Sequence, residues 1–302
     1  MRWRKLGQLY SHENHAHEKL ISHAANPLAV ALNDRIIRVY YSARDSLNRS
    51  SVSYVHFDIH TLEVTYVHPE PAFQHGEDNS FYSHGVSIGN IYQAQGKSYM
   101  LFMGWQNHAS SHWRGDIGRL LVSPDGQLSL DPENAFIGLD AEDNISLSYP
   151  WVEKIGSHYQ MWYGSTNTWD AGNQEMEHVI KNAYSSDGHH WSKNGIAVPS
   201  IIGQAQAFSR PTVLLLNNHY FMWFSYRGGD GRTYRIGRAD SIDGMHWELN
   251  LKESGIDVSN EGWDSEMIEY PFVFKHGDSI YMLYNGNGYG QTGFGLAVLE
   301  DV

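Results

Sequence analysis

Apolar and polar positions along this chain fall into short alternating runs that recur at a nearly fixed spacing. Related segments begin at Asn26 (NPLAVALNDRIIRVYYSARD), His84 (HGVSIGNIYQAQGKSYMLFMGW), Tyr149 (YPWVEKIGSHYQMWYGS), Arg210 (RPTVLLLNNHYFMWFSYRGG) and Tyr270 (YPFVFKHGDSIYMLYNGN). Their starts lie 58, 65, 61 and 60 residues apart. Each reads as an apolar run, a Gly/Asn/Asp turn and an aromatic-aliphatic run, the pattern of a β-hairpin. A third strand follows in SSVSYVHFD, DIGRLLVS, VIKNAYSS, YRIGRADS and GFGLAVLE. Two repeats continue through SSDGHHW and SIDGMHW, where Asp-Gly makes a tight turn and Trp191 or Trp247 opens a fourth strand.

A repeat of about 60 residues with four short strands is the unit of a β-propeller, because one blade cannot bury both of its faces alone. The spacing therefore predicts an all-β fold, a single five-bladed propeller over residues 1–302, with blades starting near 26, 84, 149, 210 and 270. No segment keeps a 3.6-residue period for many turns, so long helices are not expected. The fifth repeat runs out after its third strand, while RWRKLGQLY precedes the first. An N-terminal strand closing the last blade would cover that exposed edge.

In a propeller the first strand of each blade lines the axis, so the residues around each repeat's proline converge at one mouth. Asn26, His84, Tyr149, Arg210, Glu269 and Tyr270 are the candidates there, with Arg44, Asp45, Trp105, Arg227, Glu266 and Asn285 added from adjoining loops and strand ends. Aromatic faces beside Asn, Arg and carboxyl groups suit a sugar. Asp187 and Asp243 are read as turn residues, and Trp191 and Trp247 as core between blades.

Composition narrows the partners. The 302 residues carry a formal net charge of −13, which argues against nucleic acid or an anionic membrane and leaves a neutral or cationic small ligand open. No cysteine is present, which fits a reducing, cytoplasmic setting. There is no secretory leader pattern and no run of about 20 apolar residues. His12, His15, His17 and His23 have no metal-ligand spacing, and neither a metal, a cofactor nor an obligate protein partner is expected.

The Pro-led strands, YYSARD, MWYGS and SxDGxxW together resemble the five-bladed propellers of the arabinanase, levansucrase and invertase superfamily, glycoside hydrolase families 43, 32, 68, 117 and 130. The stretch GWDSEMIEYPFVF…YMLYNGNGYGQTGFG is similar to relatives encoded among bacterial surface-polysaccharide genes. The resemblance implies carboxylates on opposite sides of a glycosidic bond. Families 43 and 32 place acids at the starts of blades one and three and in blade two. Here those places hold Asn26, SHGVSIG and Ser148-Tyr149, and the blade-two motif of family 130 is also missing. A glycosidase or transferase built on this chain must use relocated acids, with Glu269 as general acid and Asp45 as base first among them. Glu77, Asp78, Glu142, Asp143 and Glu266 are the further candidates. The alternative is a non-catalytic sugar-binding propeller serving surface-polysaccharide assembly.

Overall fold

The computed structural model describes residues 1–14, 17–107, 111–229 and 232–301. These residues form twenty strands. Blade one comprises Ser22–Ala31, Ile36–Arg44, Ser50–Asp58 and Val64–Val67. Blade two comprises Gly85–Ala94, Lys97–Asn107, Trp113–Val122 and Leu128–Leu130. Blade three runs through Leu147–Ile155, His158–Thr168, Glu177–Ser185 and Ser192–Val198. Blade four runs through Ala207–Leu216, His219–Arg227, Arg235–Ser241 and Glu248–Leu249. Blade five has Glu269–His276, Ser279–Asn285 and Phe294–Asp301, and its outer strand is the N-terminal Arg2–Tyr10, antiparallel to the third. The first strands of successive blades touch one another around the full circle, the fifth meeting the first. The fold is the five-bladed propeller that the repeat predicts, closed by its N-terminal strand.

That closing strand is held by more than its ladder. Trp3 is buried edge-on against Trp223, and Lys5 Nζ lies 2.7 Å from Asp264 Oδ2, itself buried. The Asp-Gly turns act as read. Asp187 Oδ1 accepts the amides of His189 and His190, and Asp243 Oδ1 those of Met245 and His246. The carbonyl of Gly244 accepts the indole N–H of both Trp247 and Trp162, tying blade four to blade three.

The prolines do not start strands, as the sequence reading has it; they sit inside them. Ladder register breaks between Ala25 and Leu28, Ser148 and Trp151, Ser209 and Thr212, and Glu269 and Phe272, and each break encloses an X-Pro pair. A bulge is where a strand can lose a ladder N–H. The residue before each proline is left-handed: Asn26 (φ 53°), Tyr149 (φ 30°), Arg210 (φ 49°) and Tyr270 (φ 51°). Blade two has the same break between Ile88 and Ile91, with Gly89-Asn90 in place of X-Pro. A Cβ on Gly89 would lie 2.2 Å from the carbonyl oxygen of Pro150 in the next blade, so only glycine fits. Hence the residue that matches Asn26, Tyr149, Arg210 and Tyr270 is Gly89, not His84. The sequence alignment of blade two is five residues out, because it fixed on the start of an apolar run where no proline marks the bulge.

The bulges turn carbonyls toward the axis, and Arg210 collects them. Its Nη2 donates to Pro27 O at 2.6 Å, Nη1 to Tyr270 O at 2.7 Å and Pro271 O at 3.1 Å, and Nε to Ile88 O at 3.2 Å. One side chain from blade four thus fastens blades one, two and five. Burial lowers its pKa to about 9, which leaves it charged at neutral pH. Arg210→Met keeps the length but leaves these acceptors bare. With each lost partner worth about 1–3 kcal/mol, it should lower unfolding free energy by at least about 3 kcal/mol in chemical denaturation. A midpoint within error of the parent would contradict this account of the hub.

Candidate active site

On one side of the Arg210 plug, a cavity of about 370 Å³ opens at the axis. All five blades reach it. Its aromatic walls are Trp105 and Trp113 from blade two, Tyr149 from blade three, Phe208 and Tyr234 from blade four, and Tyr270 with Tyr289 from blade five. Between them lie the hydroxyls of Ser42, Ser50, Ser87, Ser148 and Ser209, the amides of Asn26 and Asn107, and His178. Arg44 and Arg227 are its charged lining residues, and no carboxylate of a described residue lies on its surface.

Several of these groups are fixed by their neighbours. Tyr149 and Tyr270 pack ring against ring with centroids 5.1 Å apart. Trp105 donates its indole N–H to Ser50 Oγ at 3.2 Å. His178 is buried between Ser148 Oγ, 2.6 Å from Nε2, and Thr166 Oγ1, 2.7 Å from Nδ1. Burial pushes its pKa down to about 3, so it is neutral and bridges two hydroxyls. Arg227 is gripped by Glu175, with Nη2 3.0 Å from Oε1 and Nε 2.8 Å from Oε2, and it lies over the ring of Tyr234. That pair is internally neutral.

Glu269 stands behind the lining. The residues just before each bulge are Ala25, Ile88, Ser148, Ser209 and Glu269. Ala25, Ser148 and Ser209 face the cavity, so Glu269 is the blade-five member of that ring and the one acid in it. It is fully buried and neither carboxyl oxygen has a hydrogen-bond partner. Three more buried polar atoms nearby are bare: Asn26 Oδ1, Ser209 Oγ and Asn285 Nδ2. Asn285 is opposite Glu269 in the ladder and accepts the amide N–H of Asn26 at 3.2 Å. Burial pushes Glu269 well above the usual carboxylate range, against the pull of Arg44, Arg227 and Arg210, and so favours its protonated form.

Of the residues singled out in the sequence, Asn26, Arg44, Trp105, Tyr149, Arg227 and Tyr270 line the cavity together. Glu269 and Asn285 adjoin it, and Arg210 plugs the channel, bonded to carbonyls rather than paired with Glu269. His84 lies outside the lining, its ring 6.1 Å from that of Trp105 and its Nδ1 3.2 Å from Ser83 Oγ. Asp45 is no free base. Its Oδ1 accepts the amides of Leu47 and Arg49, and its Oδ2 the Arg49 guanidinium at 2.8 Å. Burial raises its pKa, but these bonds outweigh it and hold the carboxyl below its usual range. Successive residues of a strand point to opposite faces, so Arg44 enters the cavity and Asp45 anchors the next loop. Glu266, Glu77, Asp78 and Glu142 are exposed away from the cavity. Asp143 is locked by Tyr163, Ser165 and Lys181. His15 lies outside the described residues. Sequence reasoning missed His178, Trp113, Tyr234 and Tyr289. The last had a usable signal, a glycine-flanked aromatic in NGNGYG, which the structure places left-handed at φ 59°.

The fold is similar to that of solved glycoside hydrolases, a family-43 enzyme among them. A glycosyl hydrolase from Bacteroides ovatus aligns over 99% of this chain and 93% of its own, with TM-score 0.72 at 14% identity. A thermostable family-43 glycoside hydrolase aligns over 97% and 94%, with TM-score 0.70 at 14% identity. For the endo-arabinase of Bacteroides thetaiotaomicron the values are 93%, 95%, 0.64 and 11%. No protein-family model matches the chain. In sequence it belongs to the family of a Mycobacterium tuberculosis protein described as "Uncharacterized protein Rv1502" in strain H37Rv and "Uncharacterized protein MT1551" in strain CDC 1551. Each is 40% identical over 303 residues, covering the whole of both chains.

The cost of burying Glu269 is measurable. The unfolded chain ionises this group near its usual value of 4.5, while the folded chain holds the proton to higher pH. Its contribution to stability therefore falls as pH rises above 4.5, and the penalty is complete once pH passes the raised folded value. Glu269→Gln removes that penalty. Its melting temperature should exceed the parent's at pH 8 by about 2 °C or more, with the gap narrowing toward pH 4.5. Equal or lower melting of the variant at pH 8 would mean the carboxyl is solvated or paired.

Proposed function

We propose that the axial cavity is a carbohydrate-recognition site for one sugar residue at the end of a larger ligand. The observation that carries this reading is the bare polar ring: Asn26 Oδ1 and Ser209 Oγ are buried, without partners and belong to residues lining a cavity walled by Trp105, Tyr149 and Tyr270. Buried polar atoms are ordinarily paired, and those left open beside a cavity await a ligand or water. Sugar rings offer apolar faces for the aromatics and hydroxyls for the open acceptors and donors. The test is a thermal-shift and calorimetric screen of mono- and disaccharides. Trp105→Ala should weaken the binding of any hit about tenfold, the worth of a lost aromatic face. Unchanged affinity in that variant would move the site elsewhere.

A second reading, catalysis, is favoured by Glu269. A buried carboxyl whose protonated form is favoured is equipped to donate to a leaving oxygen. Hydrolysis with two carboxylates about 5–10 Å apart finds no second carboxylate among the described lining residues, and Glu175, behind Arg227, is held in its ion pair. Transfer to an acceptor that brings its own nucleophile needs Glu269 alone. If a screened glycoside turns over, Glu269→Gln should cut kcat by about 10²–10⁴ with KM nearly kept. Full activity in that variant would leave only the binding reading.

A further inference from the structure

Charge inside the cavity runs against charge on the whole chain. The formal net charge is −13, yet the charged residues lining the cavity are two arginines. Arg227 is cancelled by its bidentate contact with Glu175. His178 is neutral, and burial favours the protonated form of Glu269, which stands behind the lining. Arg44 is left. Among the described residues its guanidinium makes no hydrogen bond or close ion pair, Ser22 Oγ bonding its backbone carbonyl, and the aspartate that follows it pairs with Arg49 instead. Asp45 is turned away and saturated by Arg49, with the imidazole of His75 3.8 Å from its Oδ2. Arg44 is half-buried, faces the cavity and is ion-paired to no described carboxylate; its field reaches the Glu269 carboxyl behind the lining, but its fork of donors stays open to a bidentate anion.

We propose that the sugar taken by this cavity carries an anionic group, a carboxylate, phosphate or sulfate, and that the Arg44 guanidinium binds it. This rests on the carbohydrate reading above and narrows it to acidic sugars. The anion lies against blade one, at the end of the strand Ile36–Arg44, while the sugar ring sits between Trp105 and Tyr149. The acidic exterior repels such a ligand at long range, so its capture depends on the local field of Arg44 and strengthens as salt is raised to screen the surface, then weakens as the ion pair itself is screened.

The test uses calorimetry on the full chain with three pairs: glucuronate against glucose, galacturonate against galactose, and glucose 6-phosphate against glucose, with inorganic phosphate alone as a control. At least one acidic sugar should bind tenfold or more tightly than its neutral partner. The uronates and the phosphate ester together tell a carboxylate site from a phosphate site. Arg44→Gln should abolish the preference and Arg44→Lys keep part of it, both with parental melting temperatures. Neutral sugars binding as well as acidic ones, with Arg44→Gln unchanged, would overturn the anionic assignment and leave the carbohydrate reading standing. Binding of inorganic phosphate as tight as that of the ester would reduce the site to an anion receptor without a sugar. No binding by any member, charged or neutral, would overturn both.

Discussion

One guanidinium at the centre holds this propeller in register. Proline in the bulges of four first strands removes an amide donor near the axis, and these bulges, with the Gly89-Asn90 bulge in the other, turn carbonyls inward. Carbonyls crowded at a channel repel one another and are cut off from bulk water. A side chain that only donates, in a rigid fork, answers that need, and Arg210 meets four of them from three other blades. Smaller links complete the ring: the amide of Asn90 exchanges bonds with the backbone of Val152, and Thr212 Oγ1 accepts from Val273 N.

The plug also makes the pocket. With the channel filled by Arg210, the space above it becomes a dead-ended cup instead of a tunnel, and the residues beside each bulge become its floor. The same left-handed turns that free the carbonyls swing Asn26, Tyr149 and Tyr270 into the cup's lining. Stability and recognition therefore share a cause. What the hub does not satisfy, the atoms of Glu269, Asn26, Ser209 and Asn285, lies on the cup side, where a ligand can reach or approach it.

Electrostatics divides the acids into two kinds. Most of those near the axis in sequence are neutralised by local partners: Asp45 by Arg49, Asp143 by Lys181, Glu175 by Arg227, and Asp264 by Lys5. Glu269 has no such partner, and burial favours its protonated form. The charged residues that line the cavity of this acidic protein are both arginines, and one of them, Arg227, is paired with Glu175.

The repeat, the closing N-terminal strand and the Asp-Gly turns could be read directly from the chain, because each depends on short-range chemistry: period-two patterning, the missing N–H of proline, and the carboxyl of aspartate bonding its own turn. Half of the proposed site residues also reached one cavity, since equivalent positions in a closed ring must converge. Tertiary structure alone decided the rest. The blade-two register rests on Gly89 meeting the Pro150 carbonyl, a contact between blades that leaves no proline to mark it. Arg44 and Asp45 are neighbours in sequence, yet strand alternation gives one to the ligand and the other to a loop. Arg210 reads in sequence as a ligand contact, and its place as the hub depends on carbonyls 60 to 183 residues away. A side chain's role is set by what the fold places opposite it, and that partner is not written beside it in the chain.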